Sequence, residues 1–457
     1  MTEVQAHYDK MTKTPLARLI VSLGIPTTIS MLVTNIYNMV DTYFVGTLGE
    51  SQQAATGILF TLQAIIQAIA FMLGQGSGSM VSKALADKNT EEASEYVSTS
   101  FFTGAILGTI LMIVGLLFLT PFMRLLGSTE TILPYAKQYG FCVLIMCPVV
   151  VCSFVLNNNL RYEGKAFYAM IGLVTGGIIN ILGDFLLIKV IPLGVLGAGI
   201  ATAASQFISF LILLHFYKKM AQSEIKIQAV SRSVKTYLTI CKVGFPALLR
   251  QGLSSISNGL LNNLTRPYGD AAIAAMSVVN RFTAFVMCVG LGIGQGFQPV
   301  AAFNYQAKKY SRVKKGLLVT MLIGFCLISC LALPGYIFAE QIVYMFQKSE
   351  AVVEIGTFAL RCSCFGVVFL ALSVPINMLY QSTRKAGLSS FLSLLRSGLT
   401  FIPTLLITTQ LWGITGIQIS QPFADMATGL ISIPFIIAFL RKKLVDACQQ
   451  GGHPPQH

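Results

Sequence analysis

About a dozen apolar runs, each long enough to cross a bilayer, take up most of this chain and decide what it can fold into. They lie near residues 17–45, 54–80, 96–120, 134–158, 166–191, 196–217, 236–265, 271–303, 316–339, 353–379, 386–411 and 416–440. A helical span needs about 20 predominantly apolar residues. In lipid every backbone N–H and C=O must be satisfied within the segment or in a closed barrel, so runs of this length are helices. The chain is 54% hydrophobic and only 11% charged, with a mean hydropathy of +0.70, whereas an ordinary soluble domain is roughly 25% charged. The expected fold is an all-α integral membrane protein with 12 transmembrane helices. The N-terminus lacks a short apolar region followed by an A-x-A cleavage site, so the first run should be retained as a signal-anchor helix.

The net charge of +14 follows topology rather than a nucleic-acid partner. Placing alternate connections on one side gathers most of the Lys and Arg there, among them Lys83, Lys88, Lys218, Lys219, Lys308, Lys309, Lys314, Lys315, Arg384, Lys385, Arg441, Lys442 and Lys443. The opposite loops carry Arg124, Lys189, Arg266 and Lys348. The positive-inside rule then puts both termini in the cytoplasm. Most of the ten cysteines fall within apolar runs, and Cys362/Cys364 is the only close pair. They build neither a zinc site nor a disulfide framework, and read as small packing residues.

The two halves repeat. At an offset of 220, Gly24 and Pro26 fall on Gly244 and Pro246, Asn38 on Asn258, Gly49 on Gly269, Ala54-Ala55 on Ala274-Ala275, and Gly74-Gln75-Gly76 on Gly294-Gln295-Gly296. Later the offset becomes 219, aligning Gly194 and Gly197 with Gly413 and Gly416. Each half holds about six helices, and an even number gives both halves the same orientation, as in parallel-repeat transporters. The expected organisation is two pseudo-symmetric six-helix lobes, 1–216 and 236–443, joined by a cytoplasmic linker, 217–235, and followed by a cytoplasmic tail, 444–457. The linker is polar and basic and reads as partly an interfacial helix. Pro26 and Pro246 sit inside their helices, where a lost N–H and a ring clash produce kinks.

Asp41, Asp184 and Asp425 fall within apolar runs, where a carboxylate is costly and by default marks a cavity or site. With the first and fifth helices running outward, Asp41 and Asp184 each lie a turn or two inside the outer boundary, and Thr202 on the returning sixth helix sits at a similar depth. Residues four apart share a helix face, which adds Tyr37 beside Asp41 and Asn180 beside Asp184. Tyr37, Asp41, Asn180, Asp184 and Thr202 suit a hard cation or a proton shared between two carboxylates that cannot both ionise cheaply. The second half has Leu261 in place of Asp41 and Thr404 in place of Asp184, so the acids are not demanded by the architecture. Asp425, opposite Gln206 in the repeat, is a weaker second-lobe candidate.

The chain resembles the multidrug and toxic-compound extrusion (MATE) family, in its bacterial DinF-like and MepA-like branch. The resemblance covers all the spans and rests on "MVDTYFVGTLG" at 39–49, "NNNLRYEGK" at 157–165, "NILGD" at 180–184 and "GLGIGQGFQPVAAFNYQAK" at 290–308. It implies a place in the bacterial inner membrane and export of lipophilic, usually cationic, small molecules in antiport with H+ or Na+, with no other cofactor and no catalytic activity. It also implies a first-lobe ion site at Asp41, Asn180, Asp184 and Thr202 with Tyr37 adjacent, and protonation-linked bending of the first helix near Pro26. Some family members carry an acid in the seventh helix, where this chain has Arg250-Gln251.

For the substrate cavity, the sequence suggests Gln63 and Gln67, one turn apart, with Asn157, Asn158, Asn258 and Asn262 and the nearby Asp425. Met31, Met170 and Met276 could add deformable walls. Arg250, Arg281, Arg361 and Arg396 read as structural cations that pair or snorkel. The partners expected are drugs or organic cations and membrane lipid, with the protein a monomer. A lipid or oligosaccharide-lipid flippase is the alternative, and would carry a cation-rich cavity. His7, His215, His453 and His457 lie in tails or at a helix end and a phosphate-binding loop is missing, which argues against a membrane enzyme or direct ATP drive.

Overall fold

The computed structural model describes residues 3–346 and 348–442. Lys443, His453, His457 and the 444–457 tail lie outside the described residues. In chain order the helices are α1 (Glu3–Lys13), α2 (Leu16–Gly46), α3 (Glu50–Ala86), α4 (Thr90–Leu117), α5 (Leu119–Leu125), α6 (Leu133–Ile145), α7 (Cys147–Tyr162), α8 (Ala166–Asp184), α9 (Gly194–Met220) and α10 (Val234–Thr265). There follow α11 (Asp270–Gln306), α12 (Tyr310–Ile337), α13 (Ala339–Phe346), α14 (Glu350–Val367), α15 (Leu370–Ser382), α16 (Ala386–Leu394), α17 (Phe401–Trp412) and α18 (Ile414–Arg441). Two stretches, Phe185–Val190 after α8 and Leu395–Thr400 between α16 and α17, widen into π-helical turns.

Among the described residues, nine helices are long and apolar enough to cross a membrane, or eleven with the bent pairs α6–α7 (51°) and α14–α15 (48°) each taken as one span. The more polar α10 completes the twelve. Pro148 at the start of α7 accounts for the first bend, because it cannot donate to the preceding turn. Pro26 and Pro246 lie inside α2 and α10, which run through them as single helices.

The repeat is visible in the backbone. Lys88 (φ 59°) and Lys308 (φ 52°), 220 apart, both adopt the left-handed conformation just beyond α3 and α11, as do Gly164 (φ 72°) and Arg384 (φ 63°) beyond α7 and α15. In all four cases the next amide closes the helix by bonding five residues back: Asn89 N–H to Ala84 O at 2.9 Å, Lys309 to Asn304 at 2.9 Å, Lys165 to Leu160 at 2.8 Å and Lys385 to Tyr380 at 2.8 Å. Gly194 (φ 62°) and Gly413 (φ 57°) are likewise paired, at the shorter offset of 219.

The chain forms two compact units. One takes the chain up to Thr28 and from Gly252 onward, and the other is Ile29–Gln251. The divisions thus fall inside α2 and α10, two to six residues past their prolines, and the 217–235 linker lies wholly within the second unit. The reason is helix contact at glycine. Within Ile29–Gln251, the early turns of α10 lie against α3 so closely that a Cβ on Gly244 would stand 1.8 Å from Met72 O, and one on Gly76 would stand 2.1 Å from Ile240 O. In the other unit the early turns of α2 meet α11 in the same way, with a Cβ on Gly296 falling 2.5 Å from Gly24 Cα. Glycine at both partners lets backbones touch, the usual device of helix association in lipid. Each unit has its own apolar core, around Leu59, Leu73, Val143 and Val151 in one and Leu360, Phe401, Leu405 and Ile417 in the other.

Two segments outside the spans have structure of their own. The segment before the first span is a helix, α1, with Met11 O accepting from Asn304 Nδ2 at 3.0 Å and the His7 ring 5.4 Å from that of Phe303. The linker is not an interfacial helix: between the end of α9 at Met220 and the start of α10 at Val234 it has one short helical turn, Ile227–Ala229, and it is strapped to α4. Glu224 N–H donates to Ser94 Oγ (2.9 Å), Lys226 N–H to Ser98 Oγ (3.0 Å) and Ser231 N–H to Thr99 Oγ1 (2.9 Å). Serines and a threonine at the start of α4 supply the acceptors that an amphipathic helix would have found in its own backbone.

The fully buried Glu163 anchors the near end of this strap. Its carboxylate accepts from Gln222 N–H (2.6 Å), Ser223 N–H (3.3 Å), the Ser223 hydroxyl and Tyr217 Oη (3.3 Å). Burial raises its carboxyl above the usual range, while those hydrogen bonds pull it back. For a carboxyl raised on folding, the stability it contributes is present below its unfolded pKa and is lost as pH rises through the folded one. Glu163→Gln is therefore expected to flatten the pH dependence of thermal melting as pH rises above the ordinary range of a glutamate carboxyl. Glu163→Ala, which leaves buried donors without an acceptor, should destabilise by about 2 kcal/mol or more and open residues 221–230 to protease.

Candidate ion-binding site

Four helices of the Ile29–Gln251 unit bring one polar layer together. A Cβ on Gly177 of α8 would meet Val33 at 2.7 Å and Tyr37 at 3.1 Å on α2; one on Gly183 would meet Ala201 of α9 at 2.9 Å; one on Gly199 of α9 would meet Cys142 of α6 at 3.0 Å. These close approaches leave room for side chains only in the layer they surround. Asp41 (3% exposed), Tyr139 (2%), Asn180 (1%), Asp184 (0%) and Thr202 (4%) fill it.

The hydrogen bonds run in one direction. Tyr139 Oη donates to Asp41 Oδ2 at 2.7 Å, and stands 3.0 Å from Thr202 Oγ1. With its own proton committed to Asp41, Tyr139 accepts from the Thr202 hydroxyl. Thr202 in turn accepts from Asn180 Nδ2 at 3.2 Å. The chain Asn180, Thr202, Tyr139, Asp41 thus delivers its donors to one carboxylate oxygen. Left over are Asp41 Oδ1, Asn180 Oδ1 and both oxygens of Asp184, all buried without a hydrogen-bond partner, with the two carboxyl groups within reach of each other. Four orphaned acceptors and no orphaned donor are what a proton or a hard cation requires, since buried acceptors otherwise forfeit their hydration. The π-helical turn begins at Phe185, directly after Asp184. Such turns recur at functional sites.

Of the residues predicted for this site, Asp41, Asn180, Asp184 and Thr202 are brought together. Tyr37 packs against Gly177 one turn below Asp41 and serves as a wall. Tyr139 was not foreseen. The same depth argument reaches it, because in the topology expected from the sequence its helix starts at the outer side, and Tyr139 lies six residues beyond Leu133, much as Thr202 lies eight beyond Gly194.

The predicted cavity residues divide. Gln63 and Gln67 are half-buried on α3, and Asn258 and Asn262 are exposed on α10. Asn157 and Asn158 are instead consumed by packing. Asn157 Nδ2 donates to Ala169 O at 3.2 Å, tying α7 to α8, while Asn158 Nδ2 donates to Phe154 O at 2.7 Å and its Oδ1 accepts from Arg161 at 2.9 Å. Met276 belongs to an apolar core, and Arg361 lies over the Tyr336 ring at 5.9 Å.

Asp425, expected as a second ion or cavity carboxylate, is an ion-pair partner. Its Oδ1 accepts from Arg396 Nε at 2.9 Å and from Gln421 Nε2 at 3.0 Å. The pair is 22% and 2% exposed on its Arg and Asp sides. Removing one partner of a buried pair strands the other charge, so Asp425→Leu alone should destabilise by about 3–5 kcal/mol. Asp425→Leu combined with Arg396→Leu should recover most of the loss, as read by thermal melting, with the ion dependence of activity unchanged in the double variant.

A family model described as MatE matches the chain twice, over residues 26–186 and again over 246–406. The chain belongs to the MatE family. The two matches are displaced by the same 220 residues as the internal repeat, and each starts on one of the helix prolines. Over 449 residues this MatE protein is 26% identical to the multidrug export protein MepA of Staphylococcus saprophyticus, covering 97% of this chain and 98% of that one. A MATE protein crystallised in complex with MaL6 superposes with a TM-score of 0.89 at 25% identity, covering 96% of this chain and 99% of the other. A MATE structure described as the bent conformation gives a TM-score of 0.87 at 25% identity, over 96% and 98% of the two chains. The MatE protein described here is a multi-pass membrane protein of two pseudo-symmetric six-helix halves.

Proposed function

We propose that this MatE protein is a secondary-active multidrug exporter that expels lipophilic, cationic compounds in antiport with H+ or Na+. The observation that carries the reading is the set of orphaned acceptor oxygens on Asp41, Asn180 and Asp184, held in a closed hydrogen-bonded layer by Tyr139 and Thr202. A proton entering from outside is taken up by the carboxyl pair; Na+ would be held by the same oxygens. MepA, at 26% identity, is described as a multidrug export protein, which favours small-molecule drugs as the exported class. Uptake of the ion changes the charge on Asp41 in the outer half of α2, fifteen residues beyond Pro26. A relative described in a bent conformation supports a hinge at that proline as the way ion binding reaches the substrate path. The charge distribution of the loops supports cytoplasmic N- and C-termini; we read the protein as a monomer of the bacterial inner membrane.

The test is uptake of a fluorescent lipophilic cation into inverted vesicles, with a pH gradient and a Na+ gradient imposed separately. The expected result is uptake that follows one gradient and vanishes when it is collapsed. Uptake under neither gradient would remove the antiport reading and leave the flippase.

A further inference from the structure

The Gly74-Gln75-Gly76 motif has a second consequence, independent of the ion layer. A Cβ on Gly74 would stand 2.8 Å from Asn158 Nδ2 on α7, while Gly76 faces α10. Gln75, between them and fully buried, therefore points into the junction of three helices. There its Oε1 accepts from Arg250 Nη2 at 3.4 Å. Arg161, 5% exposed, contributes a second guanidinium from the end of α7, close enough to Arg250 for the two charges to oppose each other. Tyr162, fully buried with its ring against Gly78, lies near both. Three donors here are buried without an acceptor: Arg250 Nη1, Gln75 Nε2 and Tyr162 Oη. Among the described residues, Tyr162 and Arg161 act on Arg250 electrostatically, and neither is a carboxylate. Two like charges and three orphaned donors are the converse of the ion layer, and they call for an anion.

The repeat separates this from a packing role. At offset 220 the other unit has the same crossing, with Gly294-Gln295-Gly296 on α11 and Met378 against Gly294 in the place of Asn158. At the repeat-equivalent positions the sequence has Ser30 for Arg250, Gln381 for Arg161 and Ser382 for Tyr162. The helix contact thus needs neither arginine. Arg250 as a whole is half-buried, with its Nη1 enclosed.

We infer that Arg161, Arg250, Gln75 and Tyr162 form a binding site for an oxyanion, a carboxylate or a phosphate group, separate from the carboxyl pair. Its source is either a free small anion or the headgroup of a membrane lipid. The full-length protein in detergent is melted in the presence of inorganic phosphate, of short-chain phosphatidylglycerol, and of sodium chloride at matched ionic strength. The wild type is expected to be stabilised by phosphate if the ligand is free and by phosphatidylglycerol alone if it is a lipid headgroup, in either case saturably and beyond the chloride control. Arg250→Ser and Arg161→Gln, which introduce the residues found at the repeat-equivalent positions 30 and 381, are expected to lose the response. Tyr162→Phe, the mildest change, should fold in any event and weaken half-saturation about tenfold, the loss of one hydrogen bond to a charged group. No saturable stabilisation of the wild type by either probe, or the same response in all three variants, would overturn the site.

Discussion

Asp184→Asn is expected to abolish gradient-driven export while leaving the protein folded. Both oxygens of Asp184 are buried and unpartnered, so the side chain makes no hydrogen bond within the layer other than its approach to Asp41. An amide of the same shape should therefore be tolerated by the packing. It can neither take up a proton at accessible pH nor neutralise a cation. Without the Asp184 charge, Asp41 is a lone carboxylate already bound to Tyr139, and ion binding no longer has two acids to bring to terms. Uptake in inverted vesicles should fall to the level of empty vesicles under either gradient, with the melting temperature unchanged or raised, since a buried charge has been removed. Asp41→Asn should also lose coupling but melt lower, because Tyr139 gives up a charged acceptor. Coupled uptake by a folded Asp184→Asn protein would show that the layer is structural.

Gly244→Ala should be the most damaging single methyl group in the chain. The added Cβ would meet the backbone carbonyl of Met72 at 1.8 Å, and backbone cannot turn away as a side chain can. Either α10 separates from α3 or the carbonyl loses its place in the helix. Overpacking a tight core commonly costs about 1–3 kcal/mol, and a backbone clash lies at or beyond the upper end. Thermal melting and size-exclusion profiles read the effect. The same helix provides its own control. A Cβ on Gly252 or Gly259 meets nothing within 4 Å, so Gly252→Ala and Gly259→Ala should be neutral or stabilising by about 0.5–1 kcal/mol. Equal melting of Gly244→Ala and Gly252→Ala would rule out the close crossing.

Long apolar runs and a repeat at fixed offset make the helix count and the pseudo-symmetry legible in the sequence, because both follow from local composition. The ion layer is legible where depth and helical spacing act together, which locates Asp41, Asn180, Asp184 and Thr202. Tyr139 escapes because tyrosine in an apolar run reads as core or as an interfacial anchor, and only its three-dimensional neighbours make its hydroxyl part of the layer. Asn157, Asn158 and Asp425 mislead for the opposite reason. Their polarity is spent on Ala169, Arg161 and Arg396, and partners on other helices leave no mark in composition. The route of the linker along α4 is hidden in the same way, since a serine acceptor looks like any other serine until an amide faces it.

The division of the chain inside α2 and α10 has a consequence for how the protein is made. Residues up to Thr28 belong with a body whose remaining parts begin at Gly252, so during synthesis Gly24 must wait for 272 further residues before the glycine it matches, Gly296, exists. The other body closes only once Gly244 has been synthesised. Contacts of such long sequence separation are slow to form. A chain cut in the linker would yield an amino-terminal piece lacking Gly244 and a carboxy-terminal piece lacking Gly24. Neither product could complete a lobe alone, which makes the two sequence halves obligate partners in assembly despite their common ancestry.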